Sequence, residues 1–565
     1  MVSNIYCNKI SMTMDPSSLS LFESFERPRD GFRASIWAGD DFEHWDWDRW
    51  RAEASAMAAG LRKIGVEPGS RVACVLTNCP ACCAAVPAVW LTGGTVLSLP
   101  TIARGMSFEA YLAQLRRICA ASAPAVLLME ERFSSALPEG SMPGLDVVSY
   151  ESLPASARFE ATPPTAEEIA FVQYSSGSTS EPHGCALSAG AVARQLRILA
   201  ERLEVDTARD ASVCWLPLSH DMGLFGGVML GFLEGMSMCL STPQRFLSSP
   251  RTWFDDCAWS EGTITAAPNF ALELAARAAR TELPDAFRMK RCVLGGERVE
   301  ARSIATAVSL LAGRGLRRTS LAPAYGMAEA VLAVTMTDAG ESPPVLELDS
   351  AALLEGRVLD PVLVENWDAD LTPGRTRLVS AGRPLRGVGV RVDGESEVGE
   401  LLVSSPSLAS GYFADDRATR ERFENGELRT ADFGFTYEGH LYVVGRLDDM
   451  VTVGGRNLFA RDIEVAMAGS VAVRPGSCVL VDLAGDGGAG RLVAMAEPTK
   501  GAKELPGIAL SLSTSVRQTT GFKPDECLIV PAGTLPKTPS GKIQRFRCRQ
   551  MLEAEAFDPL ARMGR

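Results

Sequence analysis

Short apolar runs and helix-like stretches alternate along most of this chain, and this alternation limits the possible folds more than any other feature. Helical patterns such as Arg49–Ile64 and Ala189–Leu203 are separated by apolar runs such as Arg71–Leu76 and Ala125–Met129. These runs are too short for helices and are bounded by turn-forming or small residues, as buried strands are. Strand, helix and strand in succession build a parallel sheet covered by helices. The sequence therefore predicts an α/β fold with layered, mostly parallel sheets.

The same pattern continues through the middle of the chain. Ala211–Leu218, Gly262–Ala267 and Arg291–Leu294 are further apolar runs that end near Gly, Pro or small residues. Loops at the carboxyl ends of such strands commonly bind ligands. The chain has 565 residues, too many for one compact core, so we expect two or three domains.

The pattern changes after residue 337, and the change predicts the domain organisation. Residues 338–373 are rich in acidic residues and Pro, contain one helical pattern at Ser350–Glu355, and are interpreted as an insertion. Short strand patterns then follow to residue 445, which predicts a small β subdomain over about 381–445. We expect an N-terminal domain at 1–445, a hinge at 446–449 and a smaller α+β domain at 450–565.

Charge and hydropathy exclude several classes of protein. The chain has 56 Lys and Arg against 69 Asp and Glu, a net charge of −13, which argues against general binding to nucleic acid or anionic lipid. The uncharged stretch after Val72 is interrupted by Pro80, Pro87 and paired glycines, so no membrane span is predicted. The polar amino terminus lacks a secretory signal pattern, and a cytoplasmic location is expected.

Fourteen cysteines are scattered along the chain. Their spacing does not resemble a small secreted framework, so free thiols are expected. Cys79, Cys82 and Cys83 form one cluster, without a second pair or a nearby His. A buried helix face explains that cluster better than a zinc site does.

One loop has the composition of a phosphate cradle. Tyr174–Gly184 follows the apolar run Ile169–Gln173 and precedes a predicted helix start near Ser188. Small residues let backbone N–H groups turn inward, and hydroxyls can donate to phosphoryl oxygens. The loop lacks the Gly-Lys-Ser/Thr ending of a Walker A motif. On composition alone, a plain surface loop is the competing interpretation.

Six more segments, together with this loop, follow the order of motifs in one superfamily. They are Trp215–Leu224, Gly295–Glu297, Pro323–Glu329, Arg429–Gly434, Gly445–Asp449 and Leu535–Ile543. In that order they resemble the adenylate-forming superfamily of acyl-CoA ligases, peptide-synthetase adenylation domains and luciferases. The match spans nearly the whole chain. Gln173-Tyr174, Ala267–Phe270 and Arg456-Asn457 are most similar to fatty acyl-AMP ligases.

The resemblance implies that ATP and Mg²⁺ are used and assigns roles to individual residues. It places Lys542 and Glu329 in catalysis, with Glu329 also holding Mg²⁺, and Asp448 at the pivot of a mobile C-terminal domain. The implied ATP-binding residues are Ser176, Gly177, Ser178, Thr179, Gly296, Glu297, Tyr325, Gly326, Asp432 and Arg446. Physical chemistry supports these roles, because a carboxylate that attacks the α-phosphate of ATP needs positioning and charge compensation.

The resemblance also implies an acyl pocket. Its wall would include His220, Asp221, Met222, Gly223 and Gly227. We expect His220 to close the pocket against the nucleotide rather than act as a base, because a carboxylic acid is already ionised at neutral pH. Phe225–Val228 and Met236–Met238 could line the pocket as well, or could simply pack a buried helix and strand.

Two positions depart from the pattern of the superfamily. His183 stands where many members of the superfamily have Lys in the phosphate loop. This change weakens the positive charge near the pyrophosphate, so ATP affinity or the handling of pyrophosphate is in doubt. Ala431 replaces the Gly before the ribose-binding aspartate. That second change is mild if the backbone φ angle there is negative.

The expected reaction is activation of a hydrophobic carboxylic acid, fatty or polycyclic, as an acyl adenylate with release of pyrophosphate. An acyl carrier protein or coenzyme A is the expected acceptor, and the sequence leaves that choice open. In the fatty acyl-AMP ligase branch, an insertion after the Tyr325 motif is associated with stopping at the adenylate. A complete acyl-CoA ligase and a non-catalytic binding protein are the alternatives. The intact set Glu329, Asp432, Arg446 and Lys542 argues against loss of catalysis.

Overall fold

A computed structural model describes most of the chain. The described residues are 21–102, 106–153, 160–174, 183–279, 286–453, 456–468, 472–483, 491–538 and 543–564. Two layered sheets and their helices form the large N-terminal part, and a smaller α+β part follows residue 449. The predicted fold class is confirmed.

The first layer is a six-stranded sheet. In spatial order its strands are Val147–Ser149, Val126–Met129, Arg71–Val75, Thr95–Leu99, Ile169–Tyr174 and Gly184–Ser188. All neighbours are parallel except the last pair, which is antiparallel. Thr95–Leu99 and Val126–Met129 are buried at every position. Burial of both faces explains why these strands read as continuous apolar runs rather than as alternating ones.

The second layer is a nine-stranded sheet. In spatial order its strands are Arg383–Pro384, Ala333–Met336, Leu321–Gly326, Arg291–Leu294, Ile264–Ala267, Ala211–Cys214, Ser237–Leu240, Ala34–Trp37 and Phe42–Trp45. The central pairs are parallel, and the pairs at both edges are antiparallel. The parallel strands end on one side of the sheet, where the candidate site lies.

Helices cover the sheets, most of them in one large apolar core and Phe108–Ser122 in a separate cluster. They are Leu21–Glu26, Trp47–Lys63, Pro80–Leu91, Phe108–Ser122, Glu131–Ser134, Ala189–Arg202, Met222–Met229, Leu230–Glu234, Pro243–Ser248, Thr252–Trp259, Asn269–Ala278 and Ala301–Leu311. Several begin at a side-chain cap. Ser188, for example, accepts a hydrogen bond from the Ala191 N–H and so fixes the helix start predicted there. Among the described residues, the helices are too short or too polar to cross a membrane.

Residues 338–373 contain more regular structure than the sequence predicts. The predicted helix is present as Ser350–Leu354, but a strand precedes it at Val345–Asp349. This strand pairs with Val362–Leu363 on one side and with Arg375–Val379 on the other. The insertion therefore contributes two strands and one helix to a small three-stranded sheet, whose third strand, Arg375–Val379, follows directly after it.

A second antiparallel sheet follows. Its strands in chain order are Gly389–Val392, Gly399–Ser404, Phe423–Glu424, Glu427–Tyr437 and His440–Arg446, and its helix is Asp416–Arg422. The two small sheets share one apolar cluster, in which Leu346, Leu348 and Leu353 are buried with Phe435 and Tyr442.

The C-terminal part has its own elements. A hairpin, Met450–Val453 with Arg456–Phe459, leads into a sheet of Val473–Leu483, Arg491–Pro498, Glu526–Ile529 and Ala561–Met563. Helices Ala460–Ala468 and Leu505–Thr520 pack on one face of the sheet, and Arg545–Glu553 packs on the other. Each face has a separate apolar core.

The cysteines are free thiols wherever the structure describes them, as predicted. Cys82 and Cys83 are buried on helix Pro80–Leu91, and Cys79 caps its start. In the described part of the chain no cluster of His, Cys, Asp and Glu could hold a metal ion by itself. Cys82 and Cys83 therefore lie on the buried helix face that the sequence predicts, whereas Cys79 is only partly buried at the start of the helix.

Candidate active site

A cavity of about 780 Å³ lies between the nine-stranded sheet and helix Asp416–Arg422, which belongs to the last antiparallel sheet of the N-terminal part. Its apolar lining includes Leu199, Leu203, Leu230, Leu332 and Met336. Its polar lining includes His220, Asp221, Tyr325, Glu329 and Tyr412. The structure thus brings the predicted acyl wall and part of the predicted nucleotide motif to one cavity.

His220 and Asp221 form a pair on the wall of this cavity. His220 Nδ1 lies 2.6 Å from Asp221 Oδ1, and the same carboxylate oxygen accepts a hydrogen bond from the Met222 N–H at 2.6 Å. The His220 side chain is one quarter exposed. Because the carboxylate is held by the backbone, the imidazole has a fixed orientation toward the cavity.

Glycines bring the next helix against its neighbours. Met222–Met229 is a π-helix. A Cβ atom on Gly223 would lie 2.2 Å from the Pro217 carbonyl oxygen, and one on Gly227 would lie 2.5 Å from Cys214 Sγ. Glycine is therefore required at both positions. The sequence predicts both residues in this wall but does not predict the π-helix.

The stretches Phe225–Val228 and Met236–Met238, which could line the pocket, differ in their position relative to the cavity. Gly226 and Gly227 line the cavity, whereas Met236 and Met238 are buried and do not line it. Met238 belongs to strand Ser237–Leu240. The packing interpretation is correct for the methionines.

Asn78 positions the strand end that leads to His220. Its side-chain amide donates to the carbonyl oxygens of Leu216 at 2.9 Å and Ser241 at 2.8 Å. Its carbonyl oxygen accepts from the Leu218 N–H at 3.0 Å. Sequence reasoning missed Asn78, because its partners lie about 140 residues or more away and no local pattern marks it.

Glu329 has a partner that the sequence did not reveal. The Tyr412 hydroxyl donates to Glu329 Oε1 at 2.7 Å. Burial and the Glu329 charge raise the pKa of Tyr412, so the phenol stays protonated as the donor. The contact orients the carboxylate toward the cavity that both residues line.

Asp432 and Tyr325 form a second tyrosine–carboxylate pair. The Tyr325 hydroxyl donates to Asp432 Oδ2 at 2.6 Å. Burial and the Asp432 charge raise the pKa of Tyr325 well above its usual value. Asp432 faces Arg446 across paired strands, with Arg446 Nε 3.9 Å from Asp432 Oδ1. Three residues assigned to ATP from the sequence are therefore adjacent.

The turn assigned to adenine follows strand Arg291–Leu294. Gly296 has a φ of +77°, which favours glycine, and a Cβ atom on Gly326 would overlap the Leu332 carbonyl oxygen. Glu297 accepts from the Phe270 N–H at 2.9 Å and lies 3.7 Å from Arg461 of the C-terminal part. Glu297 thus links the N-terminal and C-terminal parts.

Ala431 is not the mild replacement that a negative φ would have made it. Its φ is +57°, a left-handed conformation that disfavours side chains with a Cβ atom. The Ala431 N–H donates to Glu400 Oε1 at 2.9 Å, and the Asp432 N–H donates to Thr430 Oγ1 at 3.0 Å. Ala431 lies within strand Glu427–Tyr437, where the register with strand Gly399–Ser404 shifts, so these bonds hold a strained strand segment and with it the position of Asp432.

The His183 side chain contacts the carboxylate of Asp415. Its Nδ1 lies 3.2 Å from Asp415 Oδ2, and its ring centroid is 5.1 Å from that of Tyr412. It lines the same cavity as Glu329. A histidine held in this way differs from the mobile, permanently charged lysine of many relatives.

The predicted phosphate-loop residues Ser176, Gly177, Ser178 and Thr179 lie outside the described residues, as does Lys542. The segments that flank Lys542 are described. Lys537, Thr538 and Ile543 line a cleft of about 2170 Å³ between the N-terminal and C-terminal parts, and Asp432 and Arg446 line it as well.

The predicted hinge lies on a short turn. Leu447–Asp449 is a 3₁₀ turn between strand His440–Arg446 and the hairpin of the C-terminal part. Arg545 bonds to Asp449 and, at 2.7 Å, to Glu464 Oε1. These carboxylates raise the pKa of Arg545 despite its burial. The turn containing Asp448 is thus connected to the core of the C-terminal part.

Comparison with known proteins agrees with this geometry. Residues 22–413 match the family described as AMP-binding enzyme. Among curated relatives, 4-hydroxyphenylalkanoate adenylyltransferase of Mycobacterium marinum is 28% identical, over 75% of this chain and 71% of its own. Long-chain-fatty-acid–AMP ligase FadD28 of Mycobacterium tuberculosis is 29% identical, over 69% of this chain and 71% of its own.

A solved structure shows the same fold. It comes from a study of fatty acyl-adenylate ligases from E. coli and L. pneumophila, with a TM-score of 0.84 and 24% identity, covering 96% of this chain and 98% of that one. The family match covers well over half of the 565 residues. The chain therefore belongs to the AMP-binding enzyme family, and it is a ligase.

Proposed function

We propose that this ligase joins a hydrophobic carboxylic acid to the AMP part of ATP and releases pyrophosphate. One observation carries the proposal: a single cavity of about 780 Å³ has an apolar lining and also reaches His220, Tyr325 and Glu329. An acyl chain fits the apolar lining, and its carboxylate would then meet the nucleotide at the polar residues. Burial of the chain supplies binding energy, at about 25 cal/mol per Å² of apolar area.

In the proposed reaction, an oxygen of the acid attacks the α-phosphorus of ATP. The bond from that phosphorus to the pyrophosphate oxygen breaks, so acyl adenylate and pyrophosphate form together. Neither His220 nor Asp221 needs to remove a proton, because the acid is ionised at neutral pH. The fixed His220–Asp221 pair orients the carboxylate and excludes water from the reacting end.

Glu329 is the proposed ligand for Mg²⁺. Carboxylate oxygen is a preferred donor for this ion, which is commonly held by one or two carboxylates together with substrate phosphates. Glu329 fits that role, because its carboxylate lines the cavity and is oriented by Tyr412. When bound, the ion would neutralise phosphate charge.

Asp432, Tyr325 and Arg446 are the proposed nucleotide-binding group on the other side. A charged carboxylate accepts hydrogen bonds from both ribose hydroxyls, and the Tyr325 bond fixes its orientation. The flat face of Tyr325 suits adenine stacking. Lys542 would supply positive charge at the reacting carboxylate and phosphate as a compact cation.

The proposed fate of the adenylate is transfer to a carrier thiol rather than to coenzyme A. The motivating contact lies in the cluster that joins the two small sheets, where Leu346 and Leu348 are buried together with Phe459 of the C-terminal hairpin. We propose that residues 338–373 hold the C-terminal domain, 450–565, in the arrangement used for adenylation, and that rotation about Asp448 is restrained. A bias of about 3 kcal/mol would leave a second arrangement below roughly 1% populated.

Adenylation is tested by ATP–pyrophosphate exchange with saturated acids of increasing length and with aryl-substituted acids. We expect exchange with hydrophobic acids of either class and little with acetate. A Leu203→Trp substitution should lower exchange with the longest acids more than with the shortest, because it fills the cavity. Leu510→Trp on the exposed surface is the matched control. Equal exchange with acetate and long acids would contradict the acyl assignment.

The fate of the adenylate is tested by mass spectrometry of products formed with coenzyme A present. Wild type should accumulate acyl adenylate. Phe459→Ala should gain thioester formation, because it removes the aromatic contact to the insertion cluster. The exposed Phe522→Ala is its control. Abundant acyl-coenzyme A from wild type would favour the complete acyl-CoA ligase instead.

A further inference from the structure

Two cysteines stand three residues apart at the start of helix Pro80–Leu91. The segment reads Cys79-Pro80-Ala81-Cys82. The helix follows strand Arg71–Val75, which pairs in parallel with Thr95–Leu99, so the motif lies in a strand–helix–strand unit. Two cysteines at this spacing and in this location are typical of a redox-active dithiol.

The two sulfur atoms share their immediate surroundings. Thr77 Oγ1 lies 3.6 Å from Cys79 Sγ and 3.6 Å from Cys82 Sγ. The two thiols also form a hydrogen bond with each other. Cys79 is the cap residue of the helix and has an extended backbone, with φ −141° and ψ 161°. A disulfide between them therefore requires a small movement at the end of a loop rather than inside the helix.

Accessibility distinguishes the two thiols. Cys79 is half-buried and lines the large cleft between the N-terminal and C-terminal parts, whereas Cys82 is 1% exposed. A small molecule in the cleft can reach Cys79 but not Cys82. The pair thus has one accessible thiol and one buried thiol behind it, as attack and resolution require.

We infer that Cys79 and Cys82 form a reversible intramolecular disulfide by exchange with a small-molecule disulfide. Cys79 thiolate attacks one sulfur of the oxidant RSSR, forming a mixed disulfide and releasing RS⁻. Cys82 thiolate then attacks the Cys79 sulfur, closing the protein disulfide and releasing a second RS⁻. The two thiol protons end on the two released RSH molecules, so two cysteines are oxidised and one RSSR is reduced.

The electrostatics make this exchange slow but its product persistent. The hydrogen bond from Cys82, burial, and the negative charges of Cys82 and Glu130 raise the pKa of Cys79 well above its usual value. These effects exceed the attraction of the helix amino terminus for a thiolate. Few thiolates are present at neutral pH, which lowers the rate. A dithiol whose thiolate is not stabilised is also a poor leaving group, so the disulfide resists reduction.

The disulfide is connected to the acyl wall through one residue. Asn78 directly precedes Cys79 and holds Leu216, Leu218 and Ser241 by three hydrogen bonds. Displacement of Cys79 toward Cys82 would move Asn78, and with it the strand end that leads to His220. We therefore expect oxidation to lower the rate of adenylation, a consequence that depends on the proposed function.

The experiment uses the full chain treated with oxidised glutathione, followed by alkylation of free thiols, digestion and mass spectrometry. Wild type should give a peptide in which Cys79 and Cys82 carry no alkyl group and the mass is lower by two hydrogens, whereas the neighbouring Cys83 is alkylated. Cys82→Ser should retain a glutathione adduct on Cys79. Cys79→Ser should leave Cys82 free, and Cys83→Ala is the matched control that keeps the disulfide. Exchange activity, measured on the same samples, should fall several-fold in oxidised wild type and recover with dithiothreitol.

Some outcomes would overturn the inference. Free, alkylated Cys79 and Cys82 in folded wild type after prolonged treatment would exclude the disulfide. A glutathione adduct that persists on wild-type Cys79 would show that Cys82 does not resolve it. The mass readout needs no substrate, so a protein that forms the disulfide but has no adenylation activity would refute the proposed function and not this inference.

Discussion

The proposed acyl side and the proposed nucleotide side of the site are constructed differently. On the proposed acyl side, a cavity of about 780 Å³ is lined by strands and by the helix in which Gly223 and Gly227 touch neighbouring atoms. On the nucleotide side, a cleft of about 2170 Å³ opens between the N-terminal and C-terminal parts. The acyl cavity depends on close packing within one core, whereas the cleft depends on how two parts meet.

This difference separates two kinds of effect. A substitution on the acyl wall disturbs packing, so it should change stability along with acid selectivity. A substitution at the cleft removes charge or hydrogen bonds without disturbing a core, so it should change rate or ATP binding and spare stability. The predictions below test this separation, beginning with the largest effect.

Lys542→Ala should give the largest loss of activity and leave folding unchanged. The residue lies in the loop that resembles the closing lysine loop, between described segments that line the cleft. Removing one electrostatic contact of this kind typically costs on the order of 3–4 kcal/mol in the barrier, roughly a hundredfold or more in rate. Single-turnover adenylate formation and the unfolding midpoint measure the two effects. Lys503→Ala, an exposed lysine of the same part, is the control, and wild-type rates in Lys542→Ala would refute its role.

Gly223→Ala should reduce stability, in contrast to the lysine substitution. The added Cβ atom would lie 2.2 Å from the backbone oxygen of Pro217, which has little room to move. Overpacking of this kind costs about 1–3 kcal/mol. Gly226→Ala is the matched control on the same helix, because its Cβ atom would meet the movable end of Leu332 at 3.2 Å. Urea unfolding measures both variants, and equal midpoints would contradict the tight acyl wall.

The sequence predicts some strands of the fold closely and misses others. The sequence predicts strand Arg291–Leu294 to the residue and strand Ile169–Tyr174 to within one residue, because buried parallel strands are short, apolar and bounded by turns. Two strands in the insertion, Val345–Asp349 and Val362–Leu363, were missed. One of them has two residues and both of those are exposed, so hydropathy carries little signal there.

Motif residues were easier to predict than their partners. The order of the motifs predicts the roles of Glu329 and Asp432, but Tyr412 lies 83 residues from Glu329 and outside the motifs that resemble the superfamily. Asn78 has similarly distant partners. The left-handed backbone at Ala431 also could not be read from an alanine, a residue that rarely adopts it. Contacts across the fold and local strain therefore needed the structure.

Asp432→Asn should weaken ATP binding without changing the unfolding midpoint by much. The substitution keeps the size of the side chain but removes the negative charge of the carboxylate. This carboxylate accepts a hydrogen bond from the Tyr325 hydroxyl and would accept hydrogen bonds from the ribose hydroxyls. A hydrogen bond to a charged group contributes about 1.5–3 kcal/mol, so we expect the KM for ATP to rise roughly tenfold to a hundredfold, with a smaller change in the KM for the acid. Asp393→Asn, whose carboxylate pairs with Arg429 on the same sheet, is the control. A larger change in the KM for the acid than in the KM for ATP would contradict the proposal that Asp432 binds the nucleotide.

Ala431→Gly should give the smallest effect, and one of opposite sign. The left-handed backbone at this residue costs an alanine roughly 1–2 kcal/mol, which glycine avoids. Glycine also gains entropy in the unfolded chain, about 0.4–1 kcal/mol, and this offsets part of the gain. We therefore expect a rise in unfolding free energy of about 0.5–1 kcal/mol, with the KM for ATP changed less than about twofold, because the Glu400 and Thr430 contacts already hold this strand segment. Ala418→Gly, in helix Asp416–Arg422 of the same subdomain, should instead destabilise by about 1 kcal/mol. If Ala431→Gly destabilised the protein as much as Ala418→Gly does, the backbone at residue 431 would not store the strain that its φ angle indicates, and the position of Asp432 would depend on its hydrogen bonds alone.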